Sequence, residues 1–161
     1  MTRHKPLKRS GMKPKPASGI KPWLGAKNGK RKGFRGITRD KADHYFSLYI
    51  RYRDDWTCQR CLTQYQPVTA SLQNSHFYGR ARESTRFDPT NCDALCAGCH
   101  NHLGMYPELH REWKLQRIGE QAYMMLRVRA ESRCKKDRTM MAIACKQLYE
   151  REKSRYEGSK E

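Results

Sequence analysis

The chain has 161 residues, room for one modest core plus extensions. A formal charge of +18 on a chain only 37% hydrophobic points to a polyanion, most often nucleic acid, as partner. No apolar run of about eighteen residues and no apolar segment behind the basic N-terminus are present, which excludes a membrane span and a secretory signal and makes a cytoplasmic location the expectation.

The charge is uneven. Residues 1–39 hold thirteen Lys or Arg and no acid, while residues 40–161 carry a net charge of only +5. Four of the seven prolines, Pro6, Pro14, Pro16 and Pro22, also lie in this first quarter. Such a segment cannot bury enough apolar area to offset the entropy of ordering, so residues 1–38 are read as a disordered, flexible basic arm that binds DNA. Its densest charge is Lys30, Arg31, Lys32 and Arg35. Trp23 and Phe34 could stack on bases or dock on the body.

Residues 39–161 read as the folded domain. In "TRDKADHYFSLYIRYRDDW", Ala42, Tyr45, Phe46, Tyr49 and Ile50 recur at helical spacing, with Thr38 or Asp40 as the cap. Residues 57–92 favour turns and short strands, expected at about 65–72 and 74–79. A short helix is expected over about 93–103. Pro107 then opens a helix that stops at Gly119, and two more helices follow within about 120–156. The fold class is α+β.

Seven cysteines in a chain without an export signal suggest a metal site rather than a disulfide framework. Cys58-Gln-Arg-Cys61 and Cys96-Ala-Gly-Cys99 are two C-x2-C pairs. Each offers two thiolates from a tight turn, and two such pairs close a tetrahedral four-sulfur zinc site. A redox pair would not require a second copy. Four thiolates leave no open position, so the Zn2+ would be structural and would supply folding energy. Cys92 could compete with Cys96; Cys134 and Cys145 are expected to be packing residues.

With the cysteines assigned, the histidines remain. His76 lies in "QNSHFYGR", Asn91 ends "RFDPTN", and His100 follows Cys99. The order His, Asn, His, interleaved with the cysteine pairs, resembles the HNH endonuclease family over about residues 56–118. The string "SHFYGRARESTRFDPTNCDALCAGCHNHLG" is most similar to phage recombination nucleases of the NinG (Rap) kind, which act on branched DNA.

The resemblance implies a small ββα-metal unit braced by the four-cysteine zinc and flanked by helices. It implies His76 as the base that takes a proton from water, and Asn91 as the residue that orients the loop carrying it. It implies His100 as a ligand to a catalytic Mg2+ or another divalent ion. Many HNH sites carry an Asp or His ligand directly before the base; here that residue is Ser75, a poor ligand. His110 is the first candidate to replace it, ahead of Asp93, Asn74 and His102. Arg80, Arg82 and Arg86 are candidates for phosphate contact, weighed against pairing with Glu83 and Asp88. The expected partner is DNA, possibly branched, with a dimer conceivable and the host-cell cytoplasm implied by a phage origin. Two rivals are an HNH enzyme of restriction or packaging type on duplex DNA, and a non-catalytic zinc module that binds nucleic acid.

Overall fold

The computed structural model describes residues 39–160. The expectations for the arm, including Lys30, Arg31, Lys32 and Arg35, lie outside the described residues. The rest is α+β: five α-helices and a two-stranded antiparallel sheet among the described residues. In chain order these are α1 (Lys41–Arg53), β1 (Leu72–His76), β2 (Cys92–Cys96), α2 (Ala97–Met105), α3 (Pro107–Ile118), α4 (Glu120–Glu131) and α5 (Arg138–Gly158). None of the described helices is long and apolar enough to cross a membrane.

Asp40 caps α1. Its Oδ1 accepts from the Asp43 backbone N–H at 3.0 Å, and Asp43 Oδ2 accepts from the Asp40 N–H at 3.1 Å. This capping box satisfies two donors that the first turn otherwise leaves bare. Ala42, Phe46, Tyr49 and Ile50 are buried, and Tyr45 packs on them partly buried.

The long α5 covers α1. Arg138, at its start, reaches Asp40 at 3.1 Å, and Arg155, near its end, reaches Asp55 at 2.8 Å. The two helices therefore run in the same direction. Tyr52 fills the seam between them, with its ring 5.6 Å from Tyr149, 5.5 Å from Tyr156 and 5.4 Å from Trp56. Cys145 is buried in this layer as expected, but Cys134 is exposed in the link before α5 rather than a packing residue.

The strands differ from expectation. The sheet pairs Leu72–His76 with Cys92–Cys96 in the register Asn74↔Ala94 and His76↔Cys92. Residues 65–71 and 77–79 are not strand, and the helix expected from residue 93 begins only at Ala97. The cause lies in "CDALC". Its Asp93 breaks the apolar run that announces a buried strand, yet all of Cys92, Asp93, Ala94 and Leu95 are buried. Asp93 tolerates burial because Lys114 Nζ and Arg117 Nε of α3 each donate to it at 2.6 Å. Lys114 itself is fully buried.

Side chains alternate across the pair, so Leu72, Asn74 and His76 share a face with Cys92 and Ala94. α1 lies against that face, and α3 ties to the other through Asp93.

A buried ion pair fastens the loop between the strands to α1. Arg86 Nε donates to Asp43 Oδ1 at 2.9 Å, with the two side chains 3% and 5% exposed. Arg86 also donates to Glu83 at 3.0 Å. Burial alone would raise the Asp43 pKa, but hydrogen bonds from Arg86 and the Asp40 backbone hold it below the ordinary carboxylate value. Because the folded value is lowered, its contribution to stability is complete above the unfolded value and is lost as pH falls beneath it. Asp43→Asn should therefore cost about 3 kcal/mol at pH 7, measured by denaturant unfolding, and the gap to wild type should close as pH falls below about 4.

Candidate metal centre and adjoining basic cleft

The cysteine centre is built from three local devices. The chain leaves α1 through Asp55 and Trp56, both with positive φ (49° and 54°), and Trp56 buries completely to anchor the turn. A bridge between Thr57 and Gln64 then closes a knuckle, in which Cys58 N–H donates to Thr63 O at 2.9 Å and Leu62 N–H to Cys58 O at 2.8 Å. The second pair sits at a strand-to-helix junction: Cys96 ends β2 and caps α2, and Cys99 lies in the first turn of α2.

The sulfurs of Cys58, Cys61, Cys96 and Cys99 all lie within 4.8 Å of one another. A tetrahedral ion with Zn–S bonds of about 2.3 Å sets its sulfurs about 3.8 Å apart. Cys61 Sγ and Cys96 Sγ are 3.9 Å apart, and backbone N–H groups at Cys96 and Cys99 donate to Cys58 and Cys96 sulfurs at 3.3 and 3.4 Å. The donor set therefore fits a structural zinc. Hydrogen bonds from Thr63 hold the Cys61 thiol down to about 6, while burial and the neighbouring sulfurs push Cys99 up to about 12. Cys92 is no competitor: it is fully buried on the α1 side of the sheet, and burial holds its thiol protonated.

Beside this centre, between α1 and β1, lie two adjoining cavities of about 310 and 290 Å³. Arg39, Ser47, Arg51, Asn74 and Arg80 line both; His100 lines the first, and His76 and His44 line the second. Together they form one cleft, with His100 lining one part of it and His76 the other. A larger cavity of about 610 Å³, between residues 81–84 and 130–135, contains no histidine.

His76 Nε2 lies 3.0 Å from the Arg86 carbonyl oxygen. A carbonyl only accepts, so this contact assigns the proton to Nε2 and the lone pair to Nδ1. Burial, and then the Arg80 charge, push the His76 pKa down to about 4, so the ring is neutral at neutral pH. The fully buried Asn91 amide spans the loop after β1: its Oδ1 accepts from Tyr78 N–H at 2.8 Å, and its Nδ2 donates to Tyr78 O at 2.9 Å and Thr85 O at 3.0 Å. It thereby fixes both ends of the segment that carries Arg80 and leads to the carbonyl bound by His76.

His100 Nδ1 lies 2.8 Å from Gln73 Oε1, which leaves Nε2 with the lone pair; burial and then Arg80 lower its pKa also. His110 does not line the cleft. Its ring packs edge-on against Phe77, centroids 4.9 Å apart, and beside Trp113; burial and Lys114 push its pKa to about 4. Ser75 points to the opposite face from His76, buried and without a partner for its hydroxyl. His102 stacks on Tyr106 at 5.0 Å. Among the described residues, the four cysteines are the one cluster of three or more Cys, His, Asp or Glu side chains positioned to hold a metal.

The arginines separate into two kinds. Arg86 is buried on Asp43 and Glu83, so of the two alternatives the pairing with Glu83 is the one present, with Asp43 as a further partner. Arg82 is likewise structural: its guanidinium donates to Ala130 O at 2.8 Å and lies over the Tyr78 ring. Arg80 alone of the three reaches the cleft. Sequence reasoning missed Arg39, Arg51 and Ser47. The signal was present in α1, where His44, Ser47 and Arg51 at i, i+3 and i+7 form a polar stripe on the face that meets β1.

No family model, no curated protein and no solved structure matches this chain.

Two outcomes follow from these contacts. The purified protein should carry one zinc per chain by elemental analysis, and Cys96→Ser or prolonged chelation should lower Tm by roughly 10 °C or more, since 1 kcal/mol moves Tm about 4 °C in a domain of this size. Arg80→Met should raise the His76 pKa toward 6.5, read from ring chemical shifts during an NMR pH titration, because the second cause of its depression is gone.

Proposed function

We propose that this protein is a metal-dependent DNA endonuclease of the HNH kind, hydrolysing phosphodiester bonds, with branched or recombination-intermediate DNA as its substrate. The observation that carries the reading is His76: a neutral imidazole, its Nε2–H tied to a backbone carbonyl and its Nδ1 lone pair unprotonated, on a cleft lined by three arginines.

Phosphodiester hydrolysis needs a group to take the proton from water and positive charge around the phosphate. In this reading His76 Nδ1 accepts the proton as the water oxygen bonds to phosphorus. The bond from phosphorus to the leaving sugar oxygen breaks, and that oxygen takes a proton from solvent. Asn91 acts at a distance, by holding the loop that positions the Arg86 carbonyl and Arg80.

His100 fits as a ligand for a hard divalent ion, because Gln73 accepts from its Nδ1–H and leaves Nε2 available. Asn74 lines the same cavity with a buried Oδ1 that has no donor, an acceptor suited to a cation or to a water bound to one. Mg2+ or a similar ion held by these two residues and phosphate oxygens would supply charge stabilisation at the scissile phosphate. Mg2+ keeps several waters and is commonly held by one or two protein ligands plus phosphate, so the absence of a usable ligand at Ser75 does not exclude such a site.

The electrostatics give a pH signature. The acid limb of kcat/KM reports the free enzyme and should fall near pH 4. An anionic phosphate in the cleft stabilises the imidazolium, so the acid limb of kcat should lie higher, between 4 and 6.5.

The test is cleavage of plasmid, linear duplex, flap and four-way junction substrates at one salt concentration with Mg2+, Mn2+ or Ni2+. Wild type should cut the branched substrates, and His76→Ala should lose about 10²- to 10⁴-fold. Preferred cleavage of linear duplex would place the enzyme among duplex-cutting HNH nucleases. Equally poor cutting by wild type and His76→Ala with every ion would sink the enzyme reading and leave a zinc-braced nucleic-acid-binding module.

A further inference from the structure

The cleft holds more positive charge than an imidazole base requires, and that charge is unusually free. Arg80 is partly buried, yet among the described residues it makes no hydrogen bond and no ion pair. Burial and then the Arg39 charge lower its pKa, outweighing the smaller favourable effect of Asp43. Arg51 carries the same two penalties in the same order. Its guanidinium is fixed by Ser47 and Thr69, with Nε donating to the Ser47 backbone oxygen at 3.0 Å, Nη2 to Ser47 Oγ at 3.1 Å and Nη1 to Thr69 O at 3.4 Å, and it lies over the Trp56 ring at 5.3 Å; none of these partners is charged. Arg39, exposed at the rim, has no partner among the described residues either.

The two acids that line the cleft are already engaged. Asp43 is held by Arg86, and Asp40 by Arg138 and by its role as cap of α1. Three guanidinium groups therefore converge on a space where every carboxylate is answered from elsewhere. Like charges gathered in a cleft with no free carboxylate indicate an absent counter-ion. Arg51 is pre-organised, since its orientation is set before any ligand arrives.

The geometry points to a phosphate-binding subsite formed by Arg39, Arg51 and Arg80, which holds the backbone phosphate of a single nucleic-acid strand running along β1 between His76 and His100. Each cavity is only about 300 Å³, at the small end for a single small ligand, so the cleft admits the backbone of one strand. The recognition is of phosphate and therefore independent of sequence. Arg80 is placed to contact the phosphate nearest the histidines, because it lines both cavities, one with His100 and the other with His76. Arg39, at the rim, meets a neighbouring phosphate. The inference shares only the nucleic-acid ligand with the nuclease reading and requires no cleavage.

Binding tests it directly. A fluorescein-labelled 12-nucleotide single strand is titrated with the full chain by anisotropy, in EDTA, at several salt concentrations. The variant is Arg39→Ala with Arg80→Ala, two positions without partners among the described residues. The charge-matched control is Arg111→Ala with Arg127→Ala, exposed arginines on α3 and α4. Each charged hydrogen bond lost is worth about 1.5 kcal/mol or more, so the cleft variant should bind at least roughly tenfold more weakly. Its salt slope should fall by about 0.7 for each phosphate contact removed. The control should stay within about twofold of wild type. Equal losses in the two variants would show only diffuse attraction, and no loss in the cleft variant would show an unused cleft; either overturns the subsite. Failure to cut DNA leaves this result unaffected, because no cleavage is measured.

Discussion

Four sulfur atoms hold together what this small domain could not otherwise hold. Thirty-four residues of sequence lie between the knuckle after α1 and the junction of β2 with α2, and a two-stranded sheet is too small to fix them. A hairpin of this size is marginal alone. The cluster of Cys58, Cys61, Cys96 and Cys99 sets the end of β2 and the first turn of α2 against the exit of α1. His100 follows the last of these cysteines directly, so its position is inherited from the metal centre. The register of the sheet in turn sets Asn74 and His76 on the face toward α1.

Around that staple, the domain buries charge only in answered form. Asp43 meets Arg86, and Asp93 meets Lys114 and Arg117. These pairs contribute little net stability compared with apolar packing of equal volume, but removing one partner would strand the other. Their value lies in placement. Arg86, fixed by Asp43, offers the backbone carbonyl that selects the His76 tautomer. Set against this pattern, the arginines of the cleft, which no carboxylate pairs among the described residues, stand apart, and they are the part of the molecule that a phosphate backbone would complete.

Much of this was readable from residues alone. Two C-x2-C pairs specify a tetrahedral sulfur site because ligand chemistry leaves few alternatives. Pro107 and Gly119 bounded α3 because their backbone preferences are local. The second strand was not readable: "CDALC" contains an acid whose partners, Lys114 and Arg117, are more than twenty residues away. The pairing of Arg86 with Glu83, three residues away, was one of the readings, but its bond to the distant Asp43 and the contact of Arg82 with Ala130 were hidden for the same reason. His110 packs edge-on against Phe77, a contact across thirty-three residues that no local signal announces. The polar stripe of α1 was legible and was overlooked beside the aromatic stripe on its other face.

The central claim is that water activated at His76 breaks a phosphodiester bond, and oxygen isotope transfer tests it most directly. Plasmid DNA is incubated with the protein and Mg2+ in ¹⁸O-enriched water, and the fragment ends are analysed by mass spectrometry. The account predicts one heavy oxygen on the terminal phosphate at each break, and no such breaks with His76→Ala. Unlabelled phosphate ends, or labelled breaks made equally well by His76→Ala, would contradict it.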